Sequence, residues 1–268
     1  AAILPALRHS LPDTEIIVVS DASTDETDET VKAVGVQLVR QPYQTGNGAA
    51  VKAGARAATG DVLIFMDADG QHRPDDIPRL LAKLDEDYDM VVGARSRRSQ
   101  ASIQRAAANG FYNRFASLIV GQKVHDLTSG FRAVRADKFR RFLYLLPNGF
   151  SYPTTITMAF FRAGFPVAYV PIEAPRRVGK SHLRPMRDGV RFLMIIFKVA
   201  TLYSPLKVFL PISLTFFTTG LGYYLYTFLT EHRFTNMSAL LLSTSVLIFL
   251  MGLVSEQITV LNYKDSER

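Results

Sequence analysis

Short apolar runs rich in β-branched residues recur along the first two thirds of the chain and predict β-strands. They are EIIVVS at 15–20, VQLVR at 36–40, DVLIFMD at 61–67, DMVVGA at 89–94 and FPVAYVPI at 165–172. Segments of good helix formers separate several of these runs, among them DETVKAV, GNGAAVKAGARAA and PDDIPRLLAKLDE. Strands that alternate with helices are typical of a parallel sheet covered by helices. The pattern therefore predicts an α/β, Rossmann-like layered domain over residues 1–180.

A different pattern begins after position 204, where charged residues become rare. Residues 206–230 carry no charge after Lys207, and a second apolar run follows from Met237 to Leu261 beyond the polar segment EHRFTN. Each run exceeds the ~20 residues that an α-helix needs to cross a membrane. We expect a two-helix transmembrane hairpin with a short tail over 205–268; a hairpin buried in a soluble protein is the alternative. Glu256, near the end of the second run, then needs an interfacial position or a helix partner.

Residues 181–204 join these two parts and combine basic with apolar positions. The basic positions are 184, 187, 191 and 198, and the apolar ones are 192, 193, 195 and 196. This spacing is typical of an amphipathic helix in the bilayer interface, although a helix packed on the domain has the same pattern. Lys and Arg are denser before the first span than between the spans. That asymmetry predicts an integral membrane protein whose large domain lies on the cytoplasmic side.

Charge and composition narrow the class of partner. The chain has 31 Lys and Arg against 24 Asp and Glu, a formal net charge of +7, which favours an anionic partner. Aromatic residues are not interleaved with the basic ones as in single-strand binding platforms, so we expect no nucleic acid. The sequence has no cysteine, which excludes disulfides, thiolate catalysis and cysteine-bound zinc.

Two acids one residue apart end the third apolar run, in FMDADGQHRP. Asp67 and Asp69 are expected at the carboxyl end of an interior strand, where open α/β sheets bind ligands. A divalent cation, Mg²⁺ or Mn²⁺, would relieve their repulsion, and Gln71 follows closely enough to add a neutral ligand. An acidic turn that caps the strand is the alternative, because DADG is a good turn sequence.

Further candidates lie where other strands end at the same edge. Asp21 follows the first run, while the Ser, Thr and Asp at 23–25 are explained by helix capping, so Asp21 is the candidate ligand contact. Gly46 and Gly48 allow close backbone approach, and the helix that follows begins toward this edge. The glycine pattern alone is generic, since it matches neither a P-loop nor the dinucleotide fingerprint.

Taken in order, five segments resemble glycosyltransferase family 2: IIVVSDASTDET, QTGNGAAVKAG, GDVLIFMDADGQHRPDDIPRLL, VVGAR and VHDLTSGFRAVR. With two terminal spans the chain is most similar to the polyprenyl-phosphate branch, the dolichyl- or undecaprenyl-phosphate mannosyl- and glucosyltransferases. The resemblance covers about residues 1–180 and implies a GT-A fold. It also implies that the family's opening strand precedes the first helix and is missing from this sequence.

The resemblance assigns roles to individual residues. Asp21 would contact the nucleotide, with Ser20 and Ala22 replacing the family's Asp and Gly on either side of it. Asp67 and Asp69 would bind the metal with Gln71, and Arg95 would lie near the diphosphate or the acceptor phosphate. The family's flexible loop before the membrane corresponds to the segment that contains Lys180.

On the acceptor side, the resemblance marks Asp126 and Ser129 in HDLTSGFR. Among many arginines, we choose Arg95, Arg132 and Lys180 as the cations that contact phosphate. Asp126 has three interpretations: it orients an arginine or a sugar hydroxyl, it caps a helix with the neighbouring Thr and Ser, or it acts as a base.

These assignments predict a metal-dependent, inverting glycosyltransferase. It would transfer a hexose from a nucleoside diphosphate sugar of the GDP-mannose or UDP-glucose type to a polyprenyl phosphate. A phosphate monoester has a second pKa near ~6 and is already an anion at neutral pH, so no strong base is needed. The alternative to this enzyme is a non-catalytic nucleotide-sugar-binding or scaffold subunit.

A processive polysaccharide synthase is disfavoured because the chain has no tryptophan for the Gln-x-x-Arg-Trp motif of such enzymes. The hairpin is compatible with a homo-oligomer.

Overall fold

The computed structural model describes residues 3–95, 103–149, 151–173, 194, 197–198 and 200–264. The chain divides into two compact units, Ala1–Pro185 and Met186–Arg268. Most of the predicted interfacial helix, the predicted boundary after residue 180 and Lys180 itself lie outside the described residues. Those three predictions therefore stay predictions.

The first unit is built from helices that alternate with strands, as the apolar pattern predicted. Its helices are α1 Ile3–Ser10, α2 Thr27–Val34, α3 Asn47–Ala57, α4 Ile77–Leu84, α5 Ile103–Val120, α6 Ala136–Arg140 and α7 Tyr152–Arg162. Its strands are β1 Ile17–Ser20, β2 Gln37–Arg40, β3 Val62–Phe65, β4 Met90–Arg95, β5 Arg132–Arg135 and β6 Val167–Ile172. Each of the five predicted runs contains a strand, and β5 is an additional one.

Strand direction departs from the expected parallel sheet at β5. β1 and β2 pair in parallel, and a four-stranded sheet has the order β3-β5-β4-β6. Within it β4 and β6 are parallel, whereas β5 runs antiparallel to both β3 and β4. The amino end of β5 therefore lies at the edge where β3, β4 and β6 end. We call this edge the rim.

One face of the four-stranded sheet packs on α4. Ile77, Leu80 and Leu84 of this helix are almost fully buried against sheet residues that include Val91 and Ala133. Burial of each such side chain contributes roughly 1.5–3 kcal/mol, so this layer holds the strands at fixed positions. On α7, all nine residues from Tyr152 to Phe160 are buried. The strands that carry the rim are thus fixed by packed helices.

The second unit is a pair of antiparallel helices, α8 Pro205–Glu231 and α9 Asn236–Lys264. Both are long and apolar enough to cross a membrane, with mean hydropathies of 1.4 and 2.3. Small side chains repeat every seven residues along the seam between them, the period of a left-handed supercoil. On α8 the buried ones are Ser213, Gly220 and Thr227; on α9 they are Ser238, Ser245, Gly252 and Thr259.

This seam lets the two backbones approach closely. A Cβ atom added to Gly220 would lie 2.9 Å from the Cβ of Leu241, and one added to Gly252 would lie 2.8 Å from the Cβ of Phe209. The Ser213 hydroxyl donates to the Ser245 carbonyl at 2.9 Å. Small residues and interhelical hydrogen bonds are the usual means by which membrane helices associate. Large apolar side chains such as those of Leu214 and Leu229 remain exposed.

The one carboxylate within the second apolar run has a partner at the start of α8. Oε2 of Glu256 accepts a hydrogen bond from the backbone N–H of Leu206 at 3.2 Å. The Ser204 side chain makes no cap hydrogen bond there, and Pro205 has no N–H to donate. Glu256 therefore satisfies a free donor at a helix amino terminus, where a negative charge is also favoured by the helix dipole. Of the two possibilities that the sequence left open for Glu256, the structure shows a helix partner.

Candidate active site

Asp67 and Asp69 follow β3 directly and lie at the rim in a tight turn. The backbone N–H of Gln71 donates to Asp69 Oδ1 at 3.1 Å, and Gly70 adopts φ = +77°, a conformation that glycine tolerates best. The capping turn that the sequence offered as an alternative is therefore present. Asp69 is nonetheless exposed, and its Oδ2 accepts no hydrogen bond from any described residue. The turn thus presents a free carboxylate oxygen.

His72 holds this turn against the sheet. Its Nδ1 accepts the backbone N–H of Asp67 at 3.1 Å, and its ring stacks on Phe131 with centroids 4.9 Å apart. Burial lowers the pKa of His72, although the nearby Asp67 and Asp69 carboxylates oppose that effect. Because Nδ1 is an acceptor, the proton of the neutral imidazole lies on Nε2. His72 acts as a structural anchor for the two acids.

The donor set at the rim fits a hard divalent cation that shares its coordination with a substrate. No three His, Asp or Glu side chains among the described residues group closely enough to form a metal site. Mg²⁺ and Mn²⁺, however, commonly take one or two carboxylates and complete their coordination with substrate phosphates and water. Asp67 and Asp69 supply such a pair, and Gln71 lies in the same turn.

Arg95, the last residue of β4, forms a two-pronged ion pair with Asp126. Its Nε donates to Asp126 Oδ2 at 2.8 Å and its Nη2 donates to Oδ1 at 3.0 Å. Nη2 also donates to the Thr128 hydroxyl at 2.6 Å. Nη1 donates to none of the described residues, and the Arg95 side chain is 28 % exposed. The pair leaves one edge of the guanidinium available for an anion.

The ion pair keeps both groups charged despite their burial. Burial of the Asp126 carboxyl favours its neutral form, but hydrogen bonds and the charge of Arg95 outweigh this and lower the pKa. Burial disfavours the charged form of Arg95 in the same way, and the contacts with Asp126 outweigh it and raise the pKa. A bidentate arginine–carboxylate pair of this kind is rigid as well as strong.

Gly130 connects the acceptor-side loop to the metal-side turn. A Cβ atom at this position would lie 2.9 Å from Asp67 Oδ2 and 3.3 Å from the Tyr152 hydroxyl. The Tyr152 hydroxyl in turn donates to the Gly130 carbonyl at 3.3 Å, and burial raises the pKa of Tyr152 to about 12. Only glycine fits here without a shift of Asp67. Tyr152 was not predicted, since it appears in the sequence only as a helix-start residue before Pro153.

Arg132 does not fit its predicted contact with a lipid phosphate. Its side chain is fully buried, and it donates to the carbonyls of Ser129 and Pro153 and to the Thr157 hydroxyl. Its guanidinium also lies 5.8 Å from the ring centroid of Tyr152. Arg132 is the first residue of β5, and its side chain points to the face of the sheet that contacts α7. We therefore replace the predicted phosphate contact by a structural role beneath the rim.

Ser129 is likewise turned inward. It is 1 % exposed, and its hydroxyl donates to the Gly93 carbonyl at 2.7 Å. The hydroxyl is thus already used to join the loop to β4, which does not fit a direct contact with substrate.

Asp21 lies at the carboxyl end of β1, as predicted, and binds the glycine-rich loop. Its Oδ1 accepts the backbone N–H of Thr45 at 2.7 Å and the Thr45 hydroxyl at 2.9 Å, while Oδ2 accepts the Gly46 N–H at 2.8 Å. The Thr45 backbone hydrogen bond is the largest cause of the lowered pKa of Asp21. Asp21 therefore orders the loop, and contact with a nucleotide stays a prediction.

The predicted close backbone approach at Gly46 and Gly48 is present, but the partner is the chain itself. A Cβ atom at Gly46 would lie 2.6 Å from the Asn148 carbonyl oxygen, and one at Gly48 would lie 2.0 Å from that of Pro147. Gly46 also has φ = +102°. The two glycines therefore admit residues 147–149, and a contact of this loop with the nucleotide or substrate stays a prediction.

Comparisons with known proteins agree with this architecture. The sequence profile of glycosyl transferase family 2 matches residues 2–143, and that of the GtrB C-terminal hairpin matches residues 204–261. A dolichyl-phosphate hexose transferase of Haloferax volcanii is 31 % identical over 185 residues, which are 68 % of this chain and 80 % of that protein. A polyprenol monophosphomannose synthase of Mycolicibacterium smegmatis is 29 % identical over 74 % of this chain and 79 % of its own.

Among solved structures, glucosyl-3-phosphoglycerate synthase of Mycobacterium tuberculosis, crystallised with Mn²⁺ and UDP-glucose, is similar with a TM-score of 0.57. The identity is 20 %, over 74 % of each chain, so this likeness concerns the fold alone. The order of motifs, the mixed sheet with its acidic rim and the terminal hairpin all agree with the two profile matches. The chain belongs to glycosyltransferase family 2, with a GT-A domain followed by a GtrB-type hairpin.

Proposed function

We propose that the protein transfers a hexose from a nucleoside diphosphate sugar to a polyprenyl phosphate at the cytoplasmic face of a membrane, with inversion at the anomeric carbon. The observation that carries the proposal is the rim, which presents Asp67, Asp69 and the partly exposed Arg95 together. The same chain contains two helices long enough to span a membrane. The printed activities of the two relatives, both of which act on polyprenyl-type phosphates, support the same acceptor class.

On the donor side, Asp67 and Asp69 would hold a Mg²⁺ or Mn²⁺ ion, which when bound offsets the negative charge of the diphosphate. The chain contributes position: β3 fixes the start of the turn, His72 anchors it and Gly130 confines Asp67. Because the described residues provide few metal ligands, we expect tight metal binding only in the presence of the nucleotide.

On the acceptor side, the chemistry needs an anion site and no strong base. The lipid phosphate is already ionised near neutral pH, so its oxygen can attack the anomeric carbon without loss of a proton in the same step. Arg95 offers a permanent charge with its Nη1 edge free among the described residues. A positive charge at the acceptor phosphate would reduce the repulsion between the acceptor and the donor diphosphate.

The test is a transfer assay with the full chain in vesicles that contain undecaprenyl or dolichyl phosphate. Radiolabelled UDP-glucose and GDP-mannose are supplied separately with Mn²⁺, and label that enters the organic phase is counted. Transfer from one donor confirms the proposal and identifies the sugar class. A parallel reaction with 3-phosphoglycerate, whose product stays in water, tests a soluble phosphate acceptor. Nucleotide binding without transfer to either acceptor would favour a binding or scaffold subunit.

A further inference from the structure

The turn formed by residues 126–130 touches both halves of the rim. At its start, the Asp126 side chain binds Arg95, and at its end, Gly130 lies against Asp67. We call this turn the bracket. It is held from within by contacts to its carbonyls: Arg132 donates to Ser129 and Tyr152 donates to Gly130. The buried arginine, which is not available to substrate, thus has a definite task in fixing the bracket.

The hydrogen bonds of Asp126 occupy its carboxylate completely. Oδ1 accepts from Arg95 Nη2, the Thr128 N–H, the Thr128 hydroxyl and the Ser129 N–H at 3.0, 3.1, 3.2 and 3.1 Å. Oδ2 accepts from Arg95 Nε and the Arg95 N–H at 2.8 and 3.2 Å. A carboxylate has about four lone-pair sites, and six donors converge on this one. A general base needs a free lone pair within reach of the proton that it removes.

We infer that Asp126 is a positioning residue that takes no proton, and that it fixes the guanidinium of Arg95 so that Nη1 faces the acceptor phosphate. The inference rests on the proposed function, because it assigns Arg95 to the phosphate of that acceptor. Through Gly130 the same bracket sets the place of Asp67, so the anion site and the metal side share one support. Arg95 and Asp126 should therefore act as a unit, in which loss of either has nearly the effect of losing both.

The experiment uses the full chain in polyprenyl-phosphate vesicles and compares Asp126→Asn, Arg95→Gln and the double variant. Asn keeps an acceptor for the Thr128 and Ser129 N–H groups, but it turns an amide N–H toward Arg95 Nε and so releases the guanidinium. We expect KM for the lipid phosphate to rise about 10- to 100-fold in each single variant, the range for a lost charge-assisted contact. KM for the lipid phosphate in the double variant should not exceed that of Arg95→Gln. KM for the sugar nucleotide should stay within about twofold of the wild-type value in all three variants.

A matched control exists at the opposite edge of the sheet. Arg135, at the far end of β5, pairs with Asp85 at 3.6 Å. Asp85→Asn therefore neutralises the carboxylate partner of an arginine, as Asp126→Asn does, but away from the rim. This variant should leave both KM values unchanged. Calorimetric titration of each variant with Mn²⁺ and the nucleoside diphosphate, and a thermal melt, show whether the fold and donor site are intact.

A pH–rate profile separates positioning from proton transfer. The charged and titratable groups that face Asp126 are Arg95, His72, Arg132 and Tyr169. If Asp126 only positions, Asp126→Asn keeps the acidic limb of the wild-type profile. The inference is overturned if that limb disappears in Asp126→Asn, or if kcat of this variant falls about 1,000-fold at unchanged KM. It is also overturned if the double variant loses far more activity than Arg95→Gln. Absence of transfer by the wild type would instead refute the proposed function.

Discussion

The rim and the helical hairpin are both closely packed, but different interactions make the close packing possible in each. At the rim, a buried charge is stabilised by hydrogen-bond partners, as Asp126 is by Arg95. In the hairpin, the helices approach because side chains along the seam are almost absent, as at Gly220 and Gly252. The rim should therefore be sensitive to removal of a charge, and the seam to addition of volume.

The largest expected effect is the loss of a carboxylate at the rim. Asp69→Asn keeps the turn but replaces the free, anionic Oδ2 by an amide, so charge compensation of the leaving diphosphate is lost. We expect transfer to fall by at least ~1,000-fold, with weaker metal-dependent nucleotide binding and an unchanged melting temperature.

Asp61→Asn is the matched control, because Asp61 is an exposed acid just before the other end of the same strand. Full activity in Asp69→Asn would show that transfer does not depend on a metal ion bound by Asp69. Equal losses in both variants would show that net charge, rather than the site, is responsible.

Added volume should break the seam. In Gly220→Leu the new side chain clashes with that of Leu241, because even its Cβ atom would lie 2.9 Å from the Leu241 Cβ. The clash should destabilise the hairpin by roughly 1–3 kcal/mol. Gly222→Leu, two residues on in the same helix, is the control, since a Cβ atom there has nothing within 4 Å. Thermal unfolding in detergent, followed by helical circular dichroism, measures the difference. Equal stability of the two variants would contradict a tightly packed seam.

A methyl group at the bracket should displace Asp67, a proposed metal ligand, without removing any charge. Gly130→Ala would push Asp67 Oδ2 from its place, and changes to such supporting contacts typically weaken metal binding about 10- to 100-fold. Titration with Mn²⁺ in the presence of the nucleotide measures this. In the control Gly60→Ala the added Cβ lies 3.7 Å from its nearest neighbour, and metal affinity should not change. Wild-type affinity in Gly130→Ala would show that Asp67 has room to move.

The smallest expected effect is a gain in stability at Ala22. This residue has φ = +54°, and a left-handed conformation costs a residue with a Cβ atom about 1–2 kcal/mol. Part of this is offset by the greater freedom of glycine in the unfolded chain, so Ala22→Gly should stabilise the domain by up to ~1 kcal/mol. Chemical denaturation measures the sign of the change in the free energy of unfolding. A lower denaturation midpoint for Ala22→Gly would contradict the expectation.

The sequence predicted those parts of the site that depend on one strand end. Asp67 and Asp69 follow a continuous apolar run, so their place at the carboxyl edge of the sheet could be inferred from strand direction, whereas Arg95 was assigned by the family resemblance. The sequence did not reveal β5, because only four residues form it and two of them are arginines. Without β5, neither the burial of Arg132 nor the contact of Gly130 with Asp67 could be foreseen.

Partners that are distant along the chain also escaped prediction. Gly46 and Gly48 showed that something approaches the backbone closely, but not that it is the segment around Asn148. For the same reason, the seven-residue repeat of small side chains in the hairpin became informative only when the two helices were seen side by side.

The reversed direction of β5 returns the chain to the edge of the sheet at which it left. The chain leaves the sheet after Arg95 and returns at Arg132 on the same edge, where the N–H of Gly93 donates to the Phe131 carbonyl at 2.9 Å. The described residues between these points, 103–131, therefore belong to a segment whose two ends lie at one edge of the sheet. A change in the length of α5 would therefore leave the strand register intact, whereas residues 126–130 must keep their contacts with Arg95 and Asp67.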